Sequence, residues 1–190
     1  MTKRGVNDIH EYYELAAIID IVQKAKPVYL YEPRKEKRDK ALLAFLALTG
    51  MRISEVLSVT HEQLCFDMDD FIEVRNVKIK KRRKEPIYKD FPLPLEGQLK
   101  PLTDMVLDWY MLSNKKTGPL FDISRNRAWQ IISGLTGKWC HFFRSQRISY
   151  LVNKFRSTVM VADLQGIKAP QTIAHYYKGG WKHVKEQLKE

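Results

Sequence analysis

One block of this chain breaks an otherwise helical rhythm. From Asp67 to Pro94, "DMDDFIEVRNVKIKKRRKEPIYKDFPLP", β-branched residues alternate with polar ones on either side of a dense cationic turn. Period two on both flanks of a turn predicts a hairpin or a small three-stranded sheet. Most of the remaining chain recurs at helical spacing. The fold class that follows is mostly α with a small antiparallel β-sheet (α+β), and 190 residues suit one compact domain.

The helical runs are readable one by one. Asp8 to Gln23 carries Ile9, Tyr13, Leu15, Ala16, Ile19 and Ile21 ahead of Pro27. "PRKEKRD" reads as a charged linker or helix start, "KALLAFLALTG" as a buried helix ended by Gly50, and "MRISEVLSV" as a short helix with Arg52 at its beginning. Leu102, Val106, Trp109 and Tyr110 recur helically, and Ser124 is placed to cap the helix of "SRNRAWQIISGL". In "WCHFFRSQRISYLVNKF", Phe143, Ile148, Leu151, Val152 and Phe155 predict the inward stripe, with Arg144 and Arg147 nearer its rim. "STVMVADLQG", "APQTIAHYY" and "WKHVKEQLKE" complete the helices, the last with Trp181, Val184 and Leu188 on one side.

Charge narrows the partner. Lys and Arg number 33 against 22 Asp and Glu, a net charge of +11 with a pI near 9.6, which points to a polyanion such as double-stranded DNA. Cys65 and Cys140 make no metal-ligand spacing, and the five histidines do not cluster with them, so no metal and no cofactor is expected. No signal-peptide core and no membrane-length apolar run is present, so a cytoplasmic location is expected.

Three cationic groups are candidates for one anion site. Arg52 stands at a helix start, where free N–H groups and the helix dipole favour negative charge. His141 and Arg144 are three residues apart, one turn of the same helix face. The guanidinium suits two phosphate oxygens, and the imidazole can donate a hydrogen bond or move a proton near neutral pH. Asp67, Asp69 and Asp70 read as a turn into the first strand and not as a two-metal carboxylate cluster. A nucleophile must then be a side chain, serine or tyrosine, and "AHYYKGG" offers two tyrosines beside a histidine.

The order of "RDKALLAFLALTGMRISEVLSV", a basic hairpin ending in "DFPLP", "PLFDISRNRAWQII", "HFFR", "LQG" and "HYYK" resembles the catalytic domain of the tyrosine recombinases, the phage and archaeal-virus integrases. The likeness runs from about Asp39 to Tyr177 and implies the tyrosine recombinase catalytic-domain fold. It implies catalytic roles for Arg52, His141 and Arg144, a supporting role for Glu55, and Tyr176 as nucleophile by ungapped counting from "LQG", with Tyr177 the competing choice. A hairpin lysine would be the general acid: alignment favours Lys78, with Lys80, Lys81 and Lys84 within register error. Ile167 stands where members of the family have a hydrogen-bond donor, leaving Lys168 as a substitute.

What the resemblance implies is metal-free cleavage and rejoining of DNA through a 3′-phosphotyrosyl intermediate. Residues 1–190 would then be a single catalytic domain with no separate N-terminal core-binding domain. The expected protein is a monomer in solution that assembles on DNA, with its C-terminal helix packing on its own domain or docking onto a neighbouring protomer. Two other readings stay open: a DNA-binding relative that lost catalysis, and a type IB topoisomerase-like enzyme that only relaxes DNA.

Overall fold

The computed structural model describes residues 12–26, 32–79, 87–167, 170–174 and 176. Among them run α1 (Leu15–Lys24), α2 (Pro33–Thr49), α3 (Ile53–Val56), β1 (Leu64–Cys65), β2 (Phe71–Ile79), β3 (Ile87–Pro94), α4 (Lys100–Ser113), α5 (Arg125–Thr136), α6 (Cys140–Phe155), α7 (Thr158–Leu164) and α8 (Gln171–Ala174). The "PRKEKRD" segment is therefore the first part of a long helix, with Pro33 in its opening turn, where a missing N–H costs nothing.

Helix α2 is the hub because it is apolar on all sides from Ala41 to Leu48, and every one of those residues is buried. Helices α1, α4 and α6 and strand β3 pack around it. Its one buried acid, Asp39, accepts an ion pair from Nη2 of Arg38 at 2.7 Å. The helix stops at Gly50, whose φ of +64° is the left-handed cap and whose N–H donates to the Leu46 carbonyl at 2.9 Å.

The alternating block forms an antiparallel sheet in the order β1-β2-β3. A two-residue strand, Leu64–Cys65, thus precedes the acidic turn at Asp69 and Asp70. The register slips between Val74 and Val77. Strict alternation from Ile72 and Val74 would turn Asn76 and Lys78 inward. The bulge instead buries Val77 and Ile79 and exposes Lys78. Asn76 takes the strained conformation, φ +55°, and its N–H donates to Oδ1 of Asp90 at 2.8 Å.

Helix α6 corrects two expectations. Phe142, Phe143, Ile148, Leu151 and Val152 are buried, but Phe155 is 41% exposed and Arg144 only 4%. The expected rim at Arg144 is covered by the end of α7, while Phe155 is the last residue of the helix. The N-terminal half of α6 joins the main core, and Ile148, Leu151 and Val152 form a second cluster with Val161, Ala162 and Ile173. That second cluster holds the segment bearing the candidate tyrosine. The expected first helix is observed from Leu15; Tyr13, ahead of it, packs edge-on against Phe142 at 5.3 Å.

Candidate active site

Arg52 caps α3, which is a single turn. The buried Glu55 carboxylate accepts the Arg52 backbone N–H at 2.8 Å through Oε2 and the guanidinium Nη1 at 2.9 Å through Oε1. This satisfies one orphan donor at the helix start and fixes the arginine stem. The guanidinium, 42% exposed, is left at the protein surface.

Arg144 is placed between the ends of two helices. Its Nη1 donates to the Gly50 carbonyl, just past α2, at 2.7 Å and to Oε1 of Gln165 at 3.3 Å, and its Nη2 donates to the Gln165 carbonyl, just past α7, at 3.1 Å. Both carbonyls belong to helix C-termini, where unpaired oxygens and the dipole favour a cation. Burial, then the charge of Arg52, still push its pKa down to about 10, against the opposing pull of Glu55 and Tyr176. The group stays charged at neutral pH.

His141, one turn before Arg144, is exposed at the mouth of the same cleft. Desolvation, then the charges of Arg144 and Arg52, push its pKa below the ordinary 6.5, so the imidazole is neutral at pH 7. Arg52, His141 and Arg144 together line one open cleft, so the structure brings these three expected residues together. A neutral donor beside two guanidinium groups is an arrangement for an oxyanion.

Tyr176 is half-buried against the second cluster, its N–H donating to the Ile173 carbonyl at 2.8 Å. It lies close enough to Arg144 to act on that group's charge, but it is not among the residues lining the cleft. Lys78 is exposed on β2, opposite Tyr88. Ile79 beside it packs against Gly166, where an added Cβ would lie 2.9 Å from Cγ2 of Ile79. The end of the β2–β3 pair nearer the turn is thereby tied to the segment between α7 and α8. Ile167 is partly buried on the second cluster. Lys80, Lys81, Lys84, Lys168, Tyr177 and the Trp181, Val184 and Leu188 stripe lie outside the described residues.

The cleft also contains residues that the sequence reading passed over. Arg125 and Trp129 lie one turn apart on α5 and face it together with Trp139 and Cys140. Their i, i+4 spacing was the available signal. Burial raises the Cys140 thiol pKa, so it is no activated nucleophile. Gln165, a buried amide at a helix end, was missed as well. Among the described residues no group of His, Cys, Asp and Glu could hold a metal, and no helix is long and apolar enough to cross a membrane.

The model of the phage integrase family matches residues 13–180. No curated protein matches the chain. Among solved structures, the XerH site-specific recombinase bound to palindromic difH substrate in a post-cleavage complex superposes with a TM-score of 0.67 at 16% identity, covering 96% of this chain and 53% of that one. XerA recombinase gives 0.64 at 14% identity, covering 100% and 65%. The Tn1549 transposon integrase in complex with transposon right-end DNA gives 0.57 at 11%, covering 95% and 65%. The chain spans about half to two thirds of the length of these proteins, and the likeness at such identities is one of fold.

Proposed function

The chain belongs to the phage integrase family of tyrosine recombinases, and on that premise we propose that it cleaves and rejoins duplex DNA through a 3′-phosphotyrosyl link. The observation that carries this reading is the meeting of Arg52, His141 and Arg144 in one cleft. The Tyr176 hydroxyl gives up its proton to solvent and attacks the scissile phosphate in line, its oxygen becoming bonded to phosphorus as the bond to the 5′ oxygen breaks. The two guanidinium groups and the neutral imidazole stabilise the charge that gathers on the non-bridging oxygens. A lysine, Lys78 or one of Lys80, Lys81 and Lys84, protonates the departing 5′ oxygen. Attack on the phosphotyrosine by a 5′ hydroxyl of another strand completes recombination.

On this reading DNA is bound chiefly through its phosphates, so affinity falls steeply with salt, and protomers gather on the DNA rather than in solution. Incubation with a duplex nicked beside the cleavage site, then denaturing electrophoresis, tests it. The wild type should leave a covalent protein–DNA band that survives Tyr177→Phe and is lost in Tyr176→Phe. DNA binding with no adduct across a panel of sequences would sink the proposal. That result would favour a second reading, a DNA-binding relative without catalysis, for which the apolar Ile167 packed on the second cluster is the supporting observation.

A further inference from the structure

Gln165 accepts two hydrogen bonds from Arg144. Its side-chain oxygen and its main-chain oxygen accept from Nη1 and Nη2 respectively, at 3.3 and 3.1 Å, and its Nε2 donates to the Thr49 carbonyl at 3.0 Å. The residue is 4% exposed, and its own N–H is held by the Val161 carbonyl at 3.0 Å. One amide thus bridges the end of α2, the middle of α6 and the end of α7.

A guanidinium has five N–H donors in a rigid plane. Gln165 takes the end-on fork of Nη1 and Nη2, and Gly50 takes the other Nη1 donor. Among the described residues two donors remain without a partner, Nε–H and one on Nη2, and they share an edge of the plane. That edge can bind two oxygens of one phosphate in the cleft that Arg144 lines.

We propose that Gln165 is a positioning residue: it locks the Arg144 guanidinium so that its Nε–Nη2 edge faces the phosphate. The inference rests on the phosphoryl-transfer reading of the cleft. Because Gln165 caps α7 and Tyr176 lies two residues past the next short helix, α8, the same amide also ties the tyrosine-bearing segment to the arginine. A purely structural amide would serve equally well in bonding Thr49 alone; a positioning amide needs its oxygen on Arg144.

Two substitutions separate these roles. Gln165→Leu removes both side-chain bonds, whereas Gln165→Glu keeps an acceptor for Arg144 and loses the donor to Thr49. Adduct formation by Gln165→Leu in a single turnover should slow about 10²-fold, as for a misplaced reacting group, with DNA affinity unchanged. Gln165→Glu should recover most of the rate. Equal slowing in both variants, or a loss of affinity parallel to the loss of rate, would overturn the inference. A second readout does not need catalysis. In protein labelled with nitrogen-15 arginine, the Arg144 Nη1–H signals, assigned by their loss in Arg144→Lys, should be resolved and exchange slowly with water in the wild type and Gln165→Glu and exchange rapidly in Gln165→Leu. An unchanged signal in Gln165→Leu refutes positioning even if the wild type forms no adduct, a failure that would count against the proposed function alone.

Discussion

Gly50 and Arg147 approach so closely that a methyl group on the glycine would lie 2.9 Å from both Cβ and Cγ of the arginine, and 3.2 Å from Oε1 of Gln165. The contact joins the end of α2 to the middle of α6. Arg147 cannot easily yield, because its Nη1 is enclosed with no hydrogen-bond partner among the described residues and its guanidinium lies over the Tyr150 ring at 5.2 Å. Gly50→Ala adds left-handed strain to this clash. It should cost more than about 1 kcal/mol in denaturant unfolding. Because the Gly50 carbonyl holds Arg144, adduct formation should slow as well; a stable, fully active variant would show that the two helices can separate freely here.

Glu55 is nearly inaccessible, yet its partner's guanidinium is partly in water. The ion pair itself is therefore screened, and the backbone bond at the start of α3 is the larger loss when the acid is removed. Glu55→Ala should destabilise by about 1 kcal/mol, the usual cost of a lost cap. Glu55→Gln, which keeps an acceptor, should cost less. Single-turnover cleavage should follow the same order, since a loosened Arg52 no longer points into the cleft. Equal rates in the two variants would make Glu55 a residue of the fold only.

Much of this arrangement was legible in the residues. The change of period located the sheet, Gly50 marked the end of α2, Ser124 caps α5 through a 3.2 Å bond from the Arg127 N–H, and the spacing of His141 and Arg144 put both on one face. Tertiary partners were not legible. Arg144 looked like a rim residue because Gly50 and Gln165, which enclose it, stand 94 and 21 residues away. The outward turn of Lys78 likewise depends on a bulge at Asn76 that alternation alone does not announce. Local pattern reports an element and its faces; which faces are covered depends on contacts distant in sequence.

His141 gives the site a pH signature. Its pKa lies below 6.5 in the folded protein, while in the unfolded chain it stays near the ordinary value. Between those two values the unfolded chain binds more protons, so stability is full above about pH 6.5 and falls as pH drops toward the folded pKa. Urea unfolding from about pH 7.5 to about pH 5.5 should show this slope in the wild type and a shallower one in His141→Gln. A bound phosphate supplies the negative charge that the cleft lacks, so the His141 resonance should titrate at higher pH when duplex DNA is added. A titration unmoved by DNA would place the phosphate elsewhere.

Ile167 offers the sharpest test of how complete the donor set is. Its N–H donates to the Ala162 carbonyl at 2.7 Å, and its side chain rests on the second apolar cluster. A side chain of that kind can fill space but donate nothing. Ile167→His would exchange apolar contact for a donor, so two opposite changes are expected in one variant. Thermal stability should fall, by at most the roughly 1.5–3 kcal/mol of a fully buried isoleucine. The rate of adduct formation should rise, toward the 10²–10³-fold that one oxyanion donor is worth. Ile167→Leu should lose neither fold nor rate. If the lysine at 168 already supplies the missing donor, Lys168→Ala should slow the wild type strongly and the Ile167→His variant little, a non-additivity that a double-mutant cycle reads directly. Additive effects would mean that the two positions face different groups, and no gain from the histidine would mean that position 167 does not address the phosphate.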